Sequence, residues 1–312
     1  MSNVLVVGGA GYIGGAATDL LLKTDHSVRV YDVLLYETEY RKFGDFVCGD
    51  IRDRELLKTH LAWADTVIWL AALVADGSCA LYPNLATEFN QESVKWLADN
   101  FDGRIIFPST CLVYAIQDGV LHEESRTDPL TEYTKTKLAA ESYLKDKNAI
   151  IFRLSTVFGL GDAFSRPRLD LVVNLLTARA CVEKKMTVFG GEQFRPFIHV
   201  RDVARVMVEN IDTAHRGVFN IHYGNKSIFD LARLVQRYVP DAMLEIKEST
   251  VKETGDYRMS SDKARKLLGF APSYSIENGI AEMQTFIASG RLKDIRNPRY
   301  SNEAFLKINP LH

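Results

Sequence analysis

The chain has 312 residues, which is enough for about two domains of typical length, about 150 residues each. Its 38 Lys and Arg against 40 Asp and Glu give a formal net charge of −2, which excludes the basic surplus of a dedicated nucleic-acid-binding protein. Hydrophobic residues make up 46% of the chain, but the longest apolar runs, such as 67–75, are too short to span a bilayer.

Cysteine and histidine spacing adds two expectations. The four cysteines are scattered without paired spacing, and the N-terminus lacks the basic segment of a secretory signal, which together predict a cytoplasmic location. The seven histidines show no metal-binding spacing, so we expect no metal site.

Short apolar segments alternate with helical patterns through the first half of the chain. The predicted strands are 4–7, 28–31, 46–48, 67–70, 105–107 and 150–152. The predicted helices are 13–22, 54–61, 85–100 and about 130–145. This alternation is typical of right-handed βαβ crossovers, so it predicts an α/β fold with a doubly wound parallel sheet of the Rossmann type.

After Gly159 the pattern loosens. The segment 160–168 contains Gly, Pro and charged residues and is predicted to be a loop in which Arg166 and Arg168 are solvated, with contact to substrate as the alternative. Helices are predicted at 169–179, 228–238, 261–268 and 276–288, and a strand at 197–200 followed by a helix at 202–210. We therefore assign 1–165 to the first domain, with a returning segment near 195–215, and 166–312 mainly to a smaller α/β domain that binds substrate.

Gly8, Gly11 and Gly14 form a G-x-x-G-x-x-G turn between the first strand and the first helix. Without Cβ atoms, such a turn is tight and lets a pyrophosphate approach the helix N-terminus. Asp32 ends the second strand about 20 residues further on, where a carboxylate binds the adenosine ribose and repels a 2′-phosphate. The combination predicts NAD rather than NADP; the alternative is a purely structural turn with a solvated Asp32.

Asp50 and Ile51 follow the third strand. Asp50 is placed to bond the adenine amino group while Ile51 packs against the ring. The alternative, equally supported by the pattern, is a surface Asp50 that caps the helix beginning near Arg54.

Tyr133 and Lys137 are four residues apart in a predicted helix and therefore share one face. The ammonium is expected to lower the pKa of the phenol, so that the phenolate can take a proton from a hydroxyl group. Thr110 follows a strand at the carboxyl edge of the predicted sheet, where doubly wound folds bind ligands, and supplies a second hydroxyl.

These residues belong to a longer series of motifs. In chain order the motifs are GGAGYIG at 8–14, YD at 31–32, GDI at 49–51, LAALVA at 70–75, PSTCLVY at 108–114, YTKTK at 133–137, FRLSTVFG at 152–159 and RPFIHVRDVA at 195–204. In order and spacing the series resembles the extended short-chain dehydrogenase/reductases, specifically the nucleotide-sugar epimerases and dehydratases. The resemblance covers nearly the whole chain.

The resemblance implies a role for each matching position. It implies a catalytic triad of Thr110, Tyr133 and Lys137. It implies NAD contacts from Gly8, Gly11, Tyr12, Ile13, Gly14, Asp32, Asp50, Ile51, Leu70, Ala71, Ala72, Tyr133 and Lys137, with Asn90 nearby. It implies substrate contacts from Thr110, Thr156, Arg195 and Arg258.

The two arginines have alternatives. Arg195 is expected to reach the substrate pyrophosphate, with a strand-edge ion pair as the alternative. Arg258 resembles a second arginine that contacts phosphate or ribose, and an ion pair is the equally supported alternative. Thr156 stands where many relatives have Asn.

Two positions depart from the resemblance. The 4,6-dehydratases of this family carry Asp-Glu directly after the catalytic Thr, where this chain has Cys111 and Leu112, so acid-driven dehydration lacks its groups. The 3,5-epimerising reductases carry a cysteine at the place of Leu112. Cys111 is therefore expected to be a packing residue.

The resemblance thus implies NAD-dependent oxidation at C4 of a nucleotide-diphosphate sugar, ending in 4-epimerisation or in release of a 4-keto sugar by a dehydrogenase, for example one acting on GDP-heptose. Synthesis of capsule or lipopolysaccharide sugars is the implied setting. A non-catalytic NAD-binding regulator is the remote alternative. The family also implies a homodimer, paired through helices 85–100 and 130–145, with Trp96 at or near the interface.

Overall fold

The computed structural model describes residues 1–114, 117, 119–248, 257–292 and 294–311. Its strands are β1 (Asn3–Val7), β2 (Ser27–Asp32), β3 (Asp45–Cys48), β4 (Thr66–Trp69), β5 (Arg104–Thr110), β6 (Val120–Leu121), β7 (Ala149–Leu154), β8 (Thr156–Phe158), β9 (Lys185–Phe189), β10 (Phe194–His199), β11 (Gly217–Ile221), β12 (Gly224–Ser227), β13 (Met243–Lys247) and β14 (Arg258–Met259).

The helices cover both faces of the main sheet and build most of the second half of the chain. They are α1 (Tyr12–Leu21), α2 (Arg54–Leu61), α3 (Asp76–Leu81), α4 (Pro83–Thr87), α5 (Ser93–Asn100), α6 (Glu132–Leu144), α7 (Val172–Glu183), α8 (Val200–Glu209), α9 (Ile228–Tyr238), α10 (Asp262–Leu268), α11 (Ile276–Ala288) and α12 (Asn302–Ile308). A π-helical turn, Glu88–Glu92, joins α4 to α5.

Seven parallel strands form the central sheet in the order β11-β7-β5-β4-β1-β2-β3. The direction of strand addition reverses between β1 and β4. Ligands of doubly wound sheets bind at the carboxyl ends of the strands beside such a reversal. The predicted α/β fold with a doubly wound parallel sheet is confirmed.

The alternation of side chains along β1 shows how the sheet is buried on both faces. Val4 and Val6 pack into one apolar cluster with α8, whereas Leu5 and Val7 pack into a second cluster with α2 and α5. Because both faces are covered, the strands are continuously apolar, and this explains why they could be found as short apolar runs.

The segment that returns to the sheet is longer than expected. Helix α8 packs against α1, as the predicted return near 195–215 requires, but β11 then pairs with β7 at the sheet edge. Its sequence, GVFNI, gives little signal, because it is only five residues long, begins with glycine and has a polar fourth residue. The division into two domains remains a proposal.

The rest of the second half packs as its own layer. The three strands β12, β10 and β8 form a small sheet, and α7, α9 and α11 bury their apolar faces in one cluster with it. The segment from 298 to 308 turns back toward the first half, where α12 packs against α3. Within the described ranges, no helix is long and apolar enough to cross a membrane.

Candidate active site

The glycine turn between β1 and α1 is closely packed on one side and open on the other. Gly8 has φ +86°, and a Cβ there would lie 2.5 Å from the Ala71 backbone nitrogen; at Gly14 a Cβ would lie 2.2 Å from the Gly8 oxygen. At Gly11, in contrast, a Cβ would meet only the Gly8 oxygen, at 3.4 Å. Gly11 is also the N-cap of α1 and offers no side-chain cap. The open helix N-terminus therefore fits the pyrophosphate of NAD.

Asp32 lies beside this turn at the end of β2. Its carboxylate accepts hydrogen bonds from the backbone nitrogens of Ala10, at 3.0 Å, and Leu34, at 2.7 Å. Burial raises the pKa of Asp32, and these two hydrogen bonds oppose the rise. The carboxylate is thereby held at the strand end, where an adenosine ribose would meet it.

We expect Asp32→Ala to weaken NAD binding at least about tenfold and to reduce the preference for NAD over NADP. The substitution removes both a charged hydrogen-bond acceptor and the negative charge that repels a 2′-phosphate. Calorimetric titration with each dinucleotide measures both effects. Asp45→Ala is the control. Asp45 is exposed at the start of β3, so it lies at the amino ends of the parallel strands, opposite the cofactor-binding end. A preference of the unmodified protein for NADP would contradict the assignment.

Asp50 and Ile51 follow β3, as expected, but the capping alternative is wrong. Asp53, not Asp50, caps α2 by accepting a hydrogen bond from the Leu56 nitrogen at 3.0 Å. The Asp50 carboxylate instead binds Arg52, with 2.7 Å between Oδ2 and Nη2. Burial raises the pKa of Asp50, but the bonds from Arg52 outweigh burial and lower it.

The catalytic candidates meet where α6 runs along the end of β5. A capping box begins α6. Tyr133 in its first turn is half-buried, and Lys137 one turn later is only 4% exposed, with its Nζ 4.0 Å from the centre of the Phe107 ring. Thr110, the last residue of β5, is buried and accepts a hydrogen bond from the Leu112 nitrogen. The structure thus brings the three residues to one edge of the sheet.

The expected lowering of the Tyr133 pKa by Lys137 is wrong for the protein alone. Burial raises the pKa of Tyr133, Cys79 and Asp76 raise it further, and Arg168 opposes them. Burial also lowers the pKa of Lys137 to about 7, against the effect of Glu141. The sequence of one helix shows the positive charge of Lys137 but not the cost of burying an ionised Tyr133, which depends on the whole fold.

The Asn90 side chain forms hydrogen bonds both to the segment after β4 and to α6. Its side-chain oxygen accepts from the Leu73 nitrogen and its Nδ2 donates to the Leu73 oxygen, both at 2.8 Å, while Nδ2 also lies 3.3 Å from the Thr136 hydroxyl. Asn90 sits in the π-helical turn, a local distortion often found at functional sites. A position of Asn90 near the predicted NAD site was expected from the sequence. The π-helical turn was not expected.

A buried charged network behind the triad was missed. Glu141, one turn after Lys137, accepts hydrogen bonds from the Ser109 hydroxyl at 2.5 Å and from the Arg153 Nη2 at 2.7 Å. All three side chains are buried. The available signal was Arg153 itself, since a charged residue inside the apolar strand β7 requires a buried partner.

The substrate-side candidates lie on β8, β10 and β14. Thr156 pairs with Phe197 across β8 and β10. The Arg195 guanidinium lies 4.9 Å from the Tyr257 ring centre, and the exposed Arg258 lies 3.9 Å from that of Phe194. Residues 255 and 256 of the motif that drew attention to Arg258 lie outside the described residues.

Cys111 is a packing residue in the structure. It is buried in an apolar cluster with Tyr114, Leu121 and Tyr257. Burial raises the pKa of its thiol to about 12, although Arg195 opposes the rise. At neutral pH the thiol is therefore uncharged.

The expectation that Arg166 and Arg168 are solvated is wrong. Their exposed fractions are 6% and 8%. The loop that carries them is covered by the C-terminal segment, because the Leu169 nitrogen donates to the Tyr300 oxygen at 2.8 Å.

Comparison with known proteins finds related sequences and a shared fold. A UDP-glucose 4-epimerase of Rhizobium meliloti (strain 1021) is 28% identical over 88% of this chain and 94% of its own length. A UDP-glucuronate 4-epimerase of Thermodesulfobacterium geofontis (strain OPF15) is also 28% identical, over 90% and 94%. The solved structure of a UDP-glucose 4-epimerase from Thermotoga maritima shares the fold, with a TM-score of 0.81 at 22% identity, covering 93% of this chain and 99% of its own.

The model of the "NAD dependent epimerase/dehydratase family" matches residues 4–222, more than half of the chain. The expected cofactor, NAD, and the resemblance to the nucleotide-sugar enzymes are thereby confirmed. The chain belongs to the NAD-dependent epimerase/dehydratase family and is an NAD-dependent enzyme of the extended short-chain dehydrogenase/reductase type.

Proposed function

We propose that this enzyme oxidises C4 of a nucleotide-diphosphate sugar and then reduces the 4-keto sugar from its other face, which is 4-epimerisation. The observation that supports the proposal most is the position of Lys137, one turn after Tyr133 on α6. Its Nζ lies 4.0 Å from the centre of the Phe107 ring on β5, the strand that Thr110 ends. The 4-epimerase activities named for two relatives that cover most of the chain support the choice of C4.

The residues divide the proton chemistry among them. The Tyr133 oxygen takes the proton of the sugar 4-hydroxyl group and returns it in the second half-reaction. The Thr110 hydroxyl holds the same sugar oxygen, and the Lys137 ammonium binds the nicotinamide ribose. Bound NAD would supply the acceptor for the C4 hydrogen and its electron pair, and the same hydride for the return step. Because burial raises the pKa of Tyr133, proton transfer to its phenolate requires positive charge beside it, from Lys137 and from oxidised nicotinamide.

The two residues after Thr110 argue against dehydratase activity. Elimination of water across a sugar carbon–carbon bond needs a group that takes the C5 proton and another that protonates the leaving hydroxyl. Cys111 is a buried neutral thiol and Leu112 is a partly exposed aliphatic side chain. Leu112 has no group that can take or give a proton, and the neutral Cys111 thiol cannot take the C5 proton at neutral pH.

The test is a panel of UDP-, GDP-, dTDP- and CDP-sugars incubated with the purified protein in deuterium oxide, with products separated and analysed by mass spectrometry. The proposal predicts a product of unchanged mass that is the C4 epimer of its substrate. Free 4-keto sugar with one reduced cofactor per product would show a dehydrogenase instead, as would be expected of an enzyme acting on GDP-heptose. Binding of NAD without any reaction across the panel would show a non-catalytic protein.

We propose a cytoplasmic role in the synthesis of surface polysaccharides, supported by the resemblance to capsule and lipopolysaccharide enzymes. Arg195 and Arg258 are proposed to contact the substrate diphosphate, with Thr156 beside them. The two arginines stand on neighbouring strands, and Tyr257, which lies against the Arg195 guanidinium, also packs against Cys111 and so connects them to the end of β5.

We also propose a homodimer that pairs through α5 and α6. Trp96 on α5 is half-buried, with the Arg54 guanidinium 4.8 Å from its ring, and Tyr143 on α6 is half-buried as well. Exposed aromatic surface of this kind is commonly covered by a partner.

We expect Trp96→Glu to shift the protein from dimer to monomer in sedimentation at micromolar concentration, because it places a charge in the apolar contact. Trp63→Glu is the matched control, since Trp63 is also half-buried under an arginine but lies outside α5 and α6. A single species of one-chain mass for the unmodified protein would exclude the dimer. A dimer that survives Trp96→Glu would exclude Trp96 from its interface.

A further inference from the structure

Two buried arginines in the loop between β8 and α7 have no role in the chemistry above. Arg168 is paired with Asp170, with 2.6 Å between Nε and Oδ1. The Arg166 guanidinium lies 4.1 Å from the centre of the Tyr36 ring. It donates to the backbone oxygen of Arg299 at 2.6 Å and to the side-chain oxygen of Asn302.

The hydrogen bonds of the Arg166 guanidinium thus go to neutral oxygens. Of the nearby carboxylates, Glu37 accepts from the backbone nitrogen of Arg166 and not from its side chain. Burial, together with the neighbouring Arg168, lowers the pKa of Arg166 to about 10, so it still carries a full charge at pH 7. Burial of a charged guanidinium costs free energy, because the charge loses its hydration. An anion beside the guanidinium offsets this cost.

The surroundings of the pair show where this charge lies. The Arg168 guanidinium is 6.0 Å from the centre of the Tyr12 ring, in the first turn of α1 directly after Gly11. Tyr36, under Arg166, belongs to the loop after β2. Asn302, the partner of Arg166, donates from Nδ2 to the oxygen of Val74, after β4, at 3.3 Å. The arginines therefore lie across the ends of β4, β1 and β2, three adjacent strands at the reversal of strand order.

Arg168 also acts electrostatically on Tyr12, which follows the glycine turn, and on Tyr133. Burial raises the pKa of both Tyr12 and Tyr133, and in both cases Arg168 is the cation that opposes the rise. In doubly wound sheets the pyrophosphate of a dinucleotide lies at the N-terminus of the first helix, which here begins at Tyr12.

The C-terminal segment holds the loop in this position. The Asn302 nitrogen donates to the Asp170 carboxylate at 2.9 Å, and the Tyr82 hydroxyl donates to the Leu306 oxygen at 3.2 Å. The ring of Phe305 packs against that of Tyr36, with 5.2 Å between centres. Helix α12 thus spans from the arginine loop to the elements after β2 and β4.

We propose that Arg166 binds the pyrophosphate of NAD and that Arg168 adds to the positive charge there. Helix α12 holds the loop of the two arginines against the cofactor. NAD therefore stays bound between turnovers. The inference rests on the NAD dependence of the family and not on the proposed sugar chemistry. Retention nevertheless suits an epimerase, in which each turnover restores the oxidised cofactor.

The test compares Arg166→Gln with the unmodified full-length protein, without any sugar. Arg166→Gln should bind NAD and ADP-ribose at least about tenfold more weakly, because both contain the pyrophosphate. Its affinity for adenosine, which has no phosphate, should be unchanged. The NAD that remains after gel filtration, released by denaturation and quantified, should fall in parallel. Arg296→Gln is the control, since it makes the same substitution at an arginine just before the segment 298–308 whose side chain is 82% exposed.

A second variant separates charge from packing. Asn302→Ala removes the bonds of Asn302 to Arg166 and Val74 but keeps both cations, so it should weaken NAD binding by no more than about threefold. The proposal is overturned if Arg166→Gln binds NAD within twofold of the unmodified protein, if adenosine affinity falls as much as NAD affinity, or if Asn302→Ala loses as much NAD affinity as Arg166→Gln.

Discussion

Tyr133→Phe should reduce turnover about a hundredfold or more while NAD remains bound. The substitution keeps the ring, which packs against the cluster of Leu73 and Leu306, and removes only the oxygen that we propose accepts the sugar proton. Steady-state rates with the sugar found in the panel, together with calorimetric titration of NAD, measure the two parts of this prediction.

Tyr143→Phe is the matched control for that experiment. Tyr143 lies on the same helix and its hydroxyl contacts Gln91 at 3.4 Å, away from the triad. Its loss should leave turnover within about twofold of the unmodified protein. Substantial activity of Tyr133→Phe at neutral pH would exclude the phenolate as the proton acceptor.

Glu141→Gln should lower the free energy of unfolding by about 3–5 kcal/mol. The substitution removes the negative partner of Arg153 and leaves that guanidinium buried, and it weakens the bond to Ser109. Denaturant titration gives the free energy directly. Glu132→Gln, which breaks an exposed pair with Lys135 on the same helix, should cost less than about 1 kcal/mol.

The same variant should change the pH dependence of turnover. Burial lowers the pKa of Lys137, and Glu141 is the first group that opposes this effect. Without the carboxylate the pKa falls further, so Lys137 loses its proton at lower pH. If the reaction requires the ammonium, the alkaline limit of activity moves to lower pH in Glu141→Gln. An unchanged limit would show that Lys137 in the working enzyme does not depend on Glu141.

The central sheet could be predicted because its physical signal is local. Buried parallel strands are apolar on both faces, so β5 and β7 stand out as short apolar runs between helical patterns. The edge strand β11 begins with glycine and has a polar residue at the fourth of its five positions, so it gives no such signal. The π-helical turn within 85–100 depends on Asn90 binding the backbone after β4, a contact between distant segments.

Part of the candidate site could be predicted from the sequence, and part could not. Topology alone brings Thr110, at a strand end, beside Tyr133 and Lys137, on the next helix. The burial of Arg166 could not be read from the pattern, because charged residues are solvated by default and its cover, α12, lies more than a hundred residues later. The pKa of Tyr133 was predicted with the wrong sign for the same reason, since burial depends on the whole fold.

Transfer of the C4 hydrogen is tested most directly with a nucleotide-sugar that carries deuterium at C4. The purified enzyme would be incubated in ordinary water with the labelled form of the sugar that the panel identifies, and the position of the label in the product would be determined by nuclear magnetic resonance and mass spectrometry. Oxidation and re-reduction at C4 predict an epimer that keeps the deuterium at C4. Loss of the label to solvent, or inversion at a carbon other than C4, would contradict the proposed function.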